Sequence, residues 1–174
     1  MLKFMALPDP ALARYASAMQ IRVDNVTHPE VLALLQEHAA LMESWSPPDA
    51  CHYFDAQALR APDMTVWTLW DGDALVGCGG LKAMDGEGEI KSMHTRPAHR
   101  GKGAGRLMLE HVLAEARART YTALSLETGP QEGFLPARKL YEAYGFDYCG
   151  PFGDYTPNGN SVFMRLELTQ PGSA

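Results

Sequence analysis

The chain has 174 residues, 46% of them apolar, with 21 acidic against 15 basic side chains and a formal net charge of −6. That length suits one domain around one core, and no apolar run approaches the ~18 residues that a membrane span requires. The acidic balance argues against nucleic acid as a partner. Three cysteines without a C-x-x-C pair, Cys51, Cys78 and Cys149, point to free thiols in a reducing compartment, the cytoplasm.

Residues 1–18 carry Pro8 and Pro10 and too short an apolar run for a signal peptide. They are expected to be a non-catalytic extension, with a single domain over 19–170. Gln20 to Asp24 alternates apolar and polar residues, as a short strand does. Pro29 can open a helix whose apolar face takes Val31, Leu34, Leu35, His38 and Leu41-Met42, stopped by Ser46-Pro47-Pro48. A shorter helix is expected over Asp55 to Arg60.

Met64 to Trp70 and Ala74 to Lys82 flank Asp71-Gly72-Asp73, a strong hairpin signal. A second tight turn, Asp85-Gly86-Glu87-Gly88, leads into an extended run from Glu89 to Thr95. A helix follows over Ala104 to Arg119, with Met108, Leu109, Val112, Leu113 and Ala116 on one face. Next comes a strand over Tyr121 to Glu127, joined in parallel to the run before the helix. Pro136 opens a last helix bearing Ala137, Leu140, Tyr141 and Tyr144, and Gly145 ends it. Phe146 to Cys149 and Ser161 to Leu168 make a closing pair of strands around the polar loop from Gly150 to Asn160.

The most informative stretch is residues 89–106, EIKSMHTRPAHRGKGAGR. A strand, a glycine-rich turn and a helix N-terminus in succession leave backbone N–H groups converging on the positive end of the helix dipole, where a phosphate can sit. Between Ile90 and Leu109 stand Lys91, Arg96, Arg100, Lys102 and Arg106 with no acid. A small polyanionic ligand suits this basic island in an acidic chain. A P-loop is excluded because no Lys-Ser/Thr follows the glycines, and a dinucleotide fingerprint because Arg106 stands where its third glycine should be.

Arg100-x-x-Gly103-x-Gly105 does fit a known pattern: the chain resembles the GCN5-related N-acetyltransferases (GNAT), whose [RQ]-x-x-G-x-[GA] motif binds the pyrophosphate of acetyl-CoA. The stretch Pro136 to Phe146, PARKLYEAYGF, is similar to that family's second signature, a helix with Leu-Tyr ending in Gly-Phe. Leu126-Glu127-Thr128-Gly129 and Cys149-Gly150-Pro151-Phe152 look like a bacterial small-molecule-type subgroup. The resemblance implies an α/β (α+β) fold, a mixed, mostly antiparallel sheet flanked by helices in the order β-α-α-β-β-β-α-β-α-β-β. It also implies acetyl transfer from acetyl-CoA to a primary amine through a ternary complex, without a metal, and is compatible with a homodimer.

On that basis the cofactor contacts are Met93, His94 and Thr95, whose strand edge pairs with the pantetheine arm, and Arg100, Gly101, Lys102, Gly103, Ala104, Gly105 and Arg106 around the pyrophosphate. Strand-edge N–H groups can also stabilise the thioester oxyanion. Tyr141 occupies the family's general-acid position, where it would protonate the departing thiolate; by position alone it is a core tyrosine, as Tyr144 is taken to be. Candidate bases for the attacking amine are Glu89 first, then Glu127 and His94, each of which can instead be a solvated or packed side chain. His52, Tyr53, Phe152 and Tyr155 fall where the family builds its acceptor pocket, or are packing residues. His94 and His99 flank a proline turn without a third ligand in register, so no metal site is expected. Acetylation of proteins or peptides, and a non-catalytic acyl-CoA sensor, are the alternatives.

Overall fold

Two long strands, each buried almost throughout its middle, set the frame. In the computed structural model, which describes residue 15 and residues 17–45 and 56–168, β2 (Met64–Asp71) and β3 (Ala74–Met84) form the expected hairpin. Gly72 turns it at φ +57°, a left-handed conformation that costs glycine little. β1 (Met19–Asp24) pairs antiparallel with the outer side of β2, and β4 (Glu87–Thr95) with β3. The turn before β4 is tighter than its Gly-rich sequence suggests, because Glu87 and Gly88 already pair with Met84 and Ala83.

α1 (Pro29–Trp45) connects β1 to β2; α2 (Ala104–Ala118) carries the chain from β4 to β5 (Ala123–Thr128). α3 (Leu135–Ala143) precedes the antiparallel pair β6 (Asp147–Cys149) and β7 (Val162–Glu167). The strands order as β1-β2-β3-β4-β5-β7-β6, with β4 and β5 the parallel pair. The mixed seven-stranded sheet and its order bear out the expected α+β architecture.

The two faces of the sheet have separate cores. On one, Val31, Leu34 and Leu35 of α1 pack with Val26, Leu59, Val66, Trp70, Leu75 and Cys78. On the other, Met108, Leu109, Val112, Leu113 and Ala116 of α2 pack with Trp67, Leu69, Val76, Leu81, Ile90, Leu124, Leu126 and Met164, joined by Tyr141 of α3. Buried apolar area on both sides is the main stabilising term. Tyr15, just outside the expected domain, packs against this second core, so the extension is tied down at least there.

The helix expected over Asp55 to Arg60 is, within the described residues, a single 3-10 turn, Ala58–Arg60. Pro62 bars a longer run, and Arg60 turns back to donate from Nε to the Val26 carbonyl at 3.0 Å. Cys51, His52 and Tyr53 lie outside the described residues.

Candidate active site at the fork between β4 and β5

The glycine turn forms as its sequence demands. After a 3-10 turn over Pro97–His99, Gly101 and Gly103 take φ +72° and +99°. Gly103 is the N-cap of α2 and brings no side chain to it, so no capping side chain occupies the first-turn N–H groups. The first helical bond runs from Leu107 N–H to the Gly103 carbonyl. The N–H groups ahead of it point out of the helix start together with the positive end of its dipole. Around them, Arg100 Nε donates to the Thr95 carbonyl at 3.0 Å and Lys102 Nζ to the Ala98 carbonyl at 2.8 Å. Arg106 is held by Glu110 at 2.9 Å one turn on.

β4 and β5 pair only from Gly88↔Leu124 to Ile90↔Leu126, although β4 runs on to Thr95 and β5 to Thr128. Past Ile90 the two strands diverge, and the β5-facing edge of β4 from Lys91 to Thr95 has no strand partner among the described residues. One extra residue causes the divergence. The β3–β4 register shifts between Gly80↔Lys91 and Cys78↔His94, and Ser92 takes φ +51° inside the bulge. Cys78 Sγ donates to the Ser92 carbonyl at 3.2 Å and holds the bulge from beneath. A free strand edge of this kind can take an extended, amide-bearing chain by strand addition.

Register also sorts the candidate side chains. Glu89, Lys91 and His94 lie opposite Lys82, Gly80 and Cys78 and so share the α1 face of the sheet. Tyr141 is on the other face, in the core with Ile90. The fork lies between them.

Tyr141 is 5% exposed, with its ring centroid 5.6 Å from that of Phe146. Burial pushes its phenol well above the usual 10, which keeps the hydroxyl protonated. No hydrogen bond to this hydroxyl exists among the described residues. Tyr144, read from sequence as core alone, is half-buried against the same cluster but also donates its hydroxyl to Glu110 Oε1, the oxygen that holds Arg106. It braces the basic side of the glycine turn.

On the α1 face, Glu89 Oε1 receives Lys91 Nζ at 2.7 Å and the Tyr155 hydroxyl at 2.7 Å. Lys91 Nζ also lies 2.6 Å from that hydroxyl and 5.1 Å from the Tyr155 ring centroid. The Glu89 and Lys91 side chains are only 5% and 10% exposed. Burial pulls the Lys91 ammonium below its usual value, against the pull of Glu89 and Glu127; burial and then Glu89 raise Tyr155. Phe152 and Tyr155 stack edge-on, 5.1 Å apart, and both rest on Phe163. The late loop therefore folds onto the strands beside the fork. Glu89, Glu127, Phe152 and Tyr155 come together there. Lys91, counted from sequence with the phosphate-binding basic island, belongs to this cluster instead.

A third group stands where α1 passes the end of β4. His94 Nδ1 lies 3.2 Å from His38 Nδ1, and His94 Nε2 lies 3.3 Å from Glu37 Oε1. Arg96 Nε is 4.0 Å from the other Glu37 oxygen. Sequence reading placed His38 on the apolar stripe of its helix and did not single out Glu37. Only His94's position on the strand edge hinted at this group.

Residues 31–146 match the Acetyltransferase (GNAT) family. The chain is a GNAT acetyltransferase. It is 48% identical over 151 residues to the uncharacterized N-acetyltransferase YsnE of Bacillus subtilis, an alignment covering 86% of this chain and all of that one. It is 38% identical over 141 residues to the IAA acetyltransferase of Azospirillum brasilense, covering 79% and 90%. Among solved structures, an acetyltransferase from Bacillus subtilis in complex with CoA superposes with a TM-score of 0.65 at 20% identity, covering 87% of this chain and 99% of that one, a likeness of fold.

Acetyl-CoA is thus the acyl donor of this enzyme, and the residues fit it. A Cβ built on Gly105 would meet only Leu140 Cδ2 at 3.6 Å and Thr95 Oγ1 at 3.7 Å, ordinary contacts. Packing leaves the Gly105 backbone open, as a close approach of a pyrophosphate would use. Among the described residues no group of three His, Cys, Asp or Glu side chains could hold a metal ion, and no helix is long and apolar enough to cross a membrane.

Proposed function

We propose that the enzyme acetylates a primary amine of a small molecule by direct attack within a ternary complex. The observation that carries this is the fork: an unpaired β4 edge leads from an uncapped helix start, past a buried protonated tyrosine, to an aromatic and carboxylate cluster on the opposite face. Bound acetyl-CoA would supply an activated acyl carbon and a thiolate leaving group. Residues 100–106 would grip its pyrophosphate through backbone N–H groups and Arg100. Met93 to Thr95 would pair with the pantetheine amides and offer an N–H to the developing oxyanion.

Tyr141 would donate its proton to the departing sulfur. A phenol raised above 10 is a weak acid towards a thiolate in water, whose conjugate thiol titrates near 8.5. Burial raises a thiol as well; it pushes the enclosed Cys78 up to about 12. For a thiol enclosed beside Tyr141 the transfer would be closer to balanced.

On the acceptor side, Glu89 Oε2 has no partner among the described residues and can hold a bound ammonium in place by charge. Glu127, Phe152 and Tyr155 would form the wall. The folded late loop favours a small acceptor over a protein chain lying in an open groove, and the Azospirillum relative is likewise named for a single compound. The reaction suits the reducing cytoplasm, since Cys78 and Cys149 are both free thiols.

The test is acetyl-CoA-dependent release of free thiol across a panel of amines, amino acids, aminoglycosides and short peptides. Turnover of a small amine is expected. Turnover of peptides alone would replace the small-molecule assignment, and tight acetyl-CoA binding without any turnover would indicate a sensor.

A further inference from the structure

The Glu37, His94 and His38 contacts define a direction. A carboxylate only accepts, so His94 Nε2, 3.3 Å from Glu37 Oε1, carries the hydrogen. In a neutral imidazole, His94 Nδ1 must then accept, and its neighbour His38 Nδ1 at 3.2 Å must donate. That leaves the lone pair on His38 Nε2, which has no partner among the described residues. Both rings are pulled below the usual histidine range, chiefly by burial. His38 goes down to about 3, with His94 and Arg100 adding to the effect.

The place of this lone pair matters. α1 meets β4 through His38 and His94 and, two turns later, meets the segment after β5 through Trp45, whose ring centroid is 5.0 Å from that of Phe134. Its last two turns therefore span the α1-face opening of the fork, and His38 stands at the β4 side of that opening. Glu37, at the other end of the chain of contacts, has a side chain 40% exposed to water.

We propose that Glu37, His94 and His38 form a proton path for the acceptor amine, with His38 Nε2 as the group that takes the proton. This deepens the acetyl-transfer function above and rests on it. The proton leaves the acceptor nitrogen for His38 Nε2, the His38 Nδ1 proton moves to His94 Nδ1, and the His94 Nε2 proton moves to Glu37. One ammonium and one carboxylate become a neutral amine and a carboxylic acid, no electrons are transferred, and Glu37 returns the proton to water. The charged and titratable groups facing the path are Arg96 and Arg100 after β4 and Cys78 on β3. The two guanidinium groups disfavour a cation resting on either ring, so the proton passes through rather than staying.

Two measurements test it. Long-range nitrogen–proton NMR on histidine-labelled protein, without substrate, reads the tautomers. Hydrogen on His94 Nε2 and His38 Nδ1 is expected, and hydrogen on His38 Nε2 would overturn the path. With acetyl-CoA and the small amine that turns over best in the panel, His38→Gln keeps a donor to His94 but has no basic nitrogen. It should lower kcat/KM at pH 7 by about 100-fold, the low end for a general base, with acetyl-CoA affinity unchanged. Glu37→Gln should act in the same direction. Both deficits should shrink as pH approaches the pKa of the amine, because a neutral amine needs no base. A deficit constant with pH, or one seen only in Glu89→Gln, would assign the proton to another group. The tautomers are read without turnover, so failure of the acetyl-transfer assignment would show separately, as no thiol release by the unaltered enzyme.

Discussion

Tyr141→Phe separates chemistry from packing. The substitution removes one hydroxyl from a side chain that is 5% exposed and keeps the ring against Phe146. Among the described residues this hydroxyl has no hydrogen-bond partner, so no bond is broken and no buried partner is orphaned. Stability should stay within about 1 kcal/mol, or roughly 2–4 °C in Tm for a chain of this size. In the proposed mechanism this hydroxyl gives its proton to a leaving group that exists only during transfer, so its loss should appear in kcat. A general acid contributes about 10²–10⁴-fold, or ~3–5 kcal/mol of barrier. Thiol release followed at saturating acetyl-CoA, beside calorimetric titration of acetyl-CoA, measures both halves. A kcat within threefold of wild type would remove Tyr141 from the mechanism. Equal losses in kcat and in acetyl-CoA affinity would make it a packing residue.

Lys91→Met should cost about 3–5 kcal/mol, since it strands the buried Glu89 carboxylate; chemical denaturation checks this, and a loss under 1 kcal/mol would mean the pair is solvated. Gly103→Ala forces a Cβ into φ +99° and should destabilise by about 1–2 kcal/mol while weakening acetyl-CoA binding, seen by thermal shift with and without ligand. The two histidines make stability fall with acid. His38 is held neutral down to about 3 in the fold but titrates near 6.5 when unfolded, so the unfolded chain binds more protons between those values and Tm should drop as pH falls from 6.5 towards 3. In His38→Gln that decline should be shallower. Tyr141 acts at the other extreme: its raised phenol holds its proton while the unfolded one ionises, so stability should decline above pH 10.

Local chemistry was legible because it is written in consecutive residues. Positive φ at Gly101 and Gly103, the hairpin at Gly72 and the stop at Gly145 each follow from a glycine in its place. So did the four strands and helix that lead to and from the glycine turn. What stayed hidden depends on register or on distance along the chain. The bulge at Ser92 comes from one extra residue in a strand whose composition looks regular, and no glycine marks it. The contact between His38 and His94 spans 56 positions, and that between Tyr155 and Glu89 spans 66. On the helix, His38 at apolar spacing reads as one more core residue. Lys91 sat among cations in sequence, and strand alternation sent it to the opposite face from Ile90.

That alternation has a consequence for how such an enzyme changes over time. The sheet works as a partition with a slit in it: in the proposed mechanism the donor is gripped from the start of α2 and the β4 edge, while the acceptor meets Glu89 of β4, Glu127 of β5, α1 and the late loop. The two faces fill separate cores, so side chains on one can be exchanged without directly repacking the other. A lineage can therefore exchange its amine while keeping its thioester, with the same bulged strand serving every acceptor that reaches the slit.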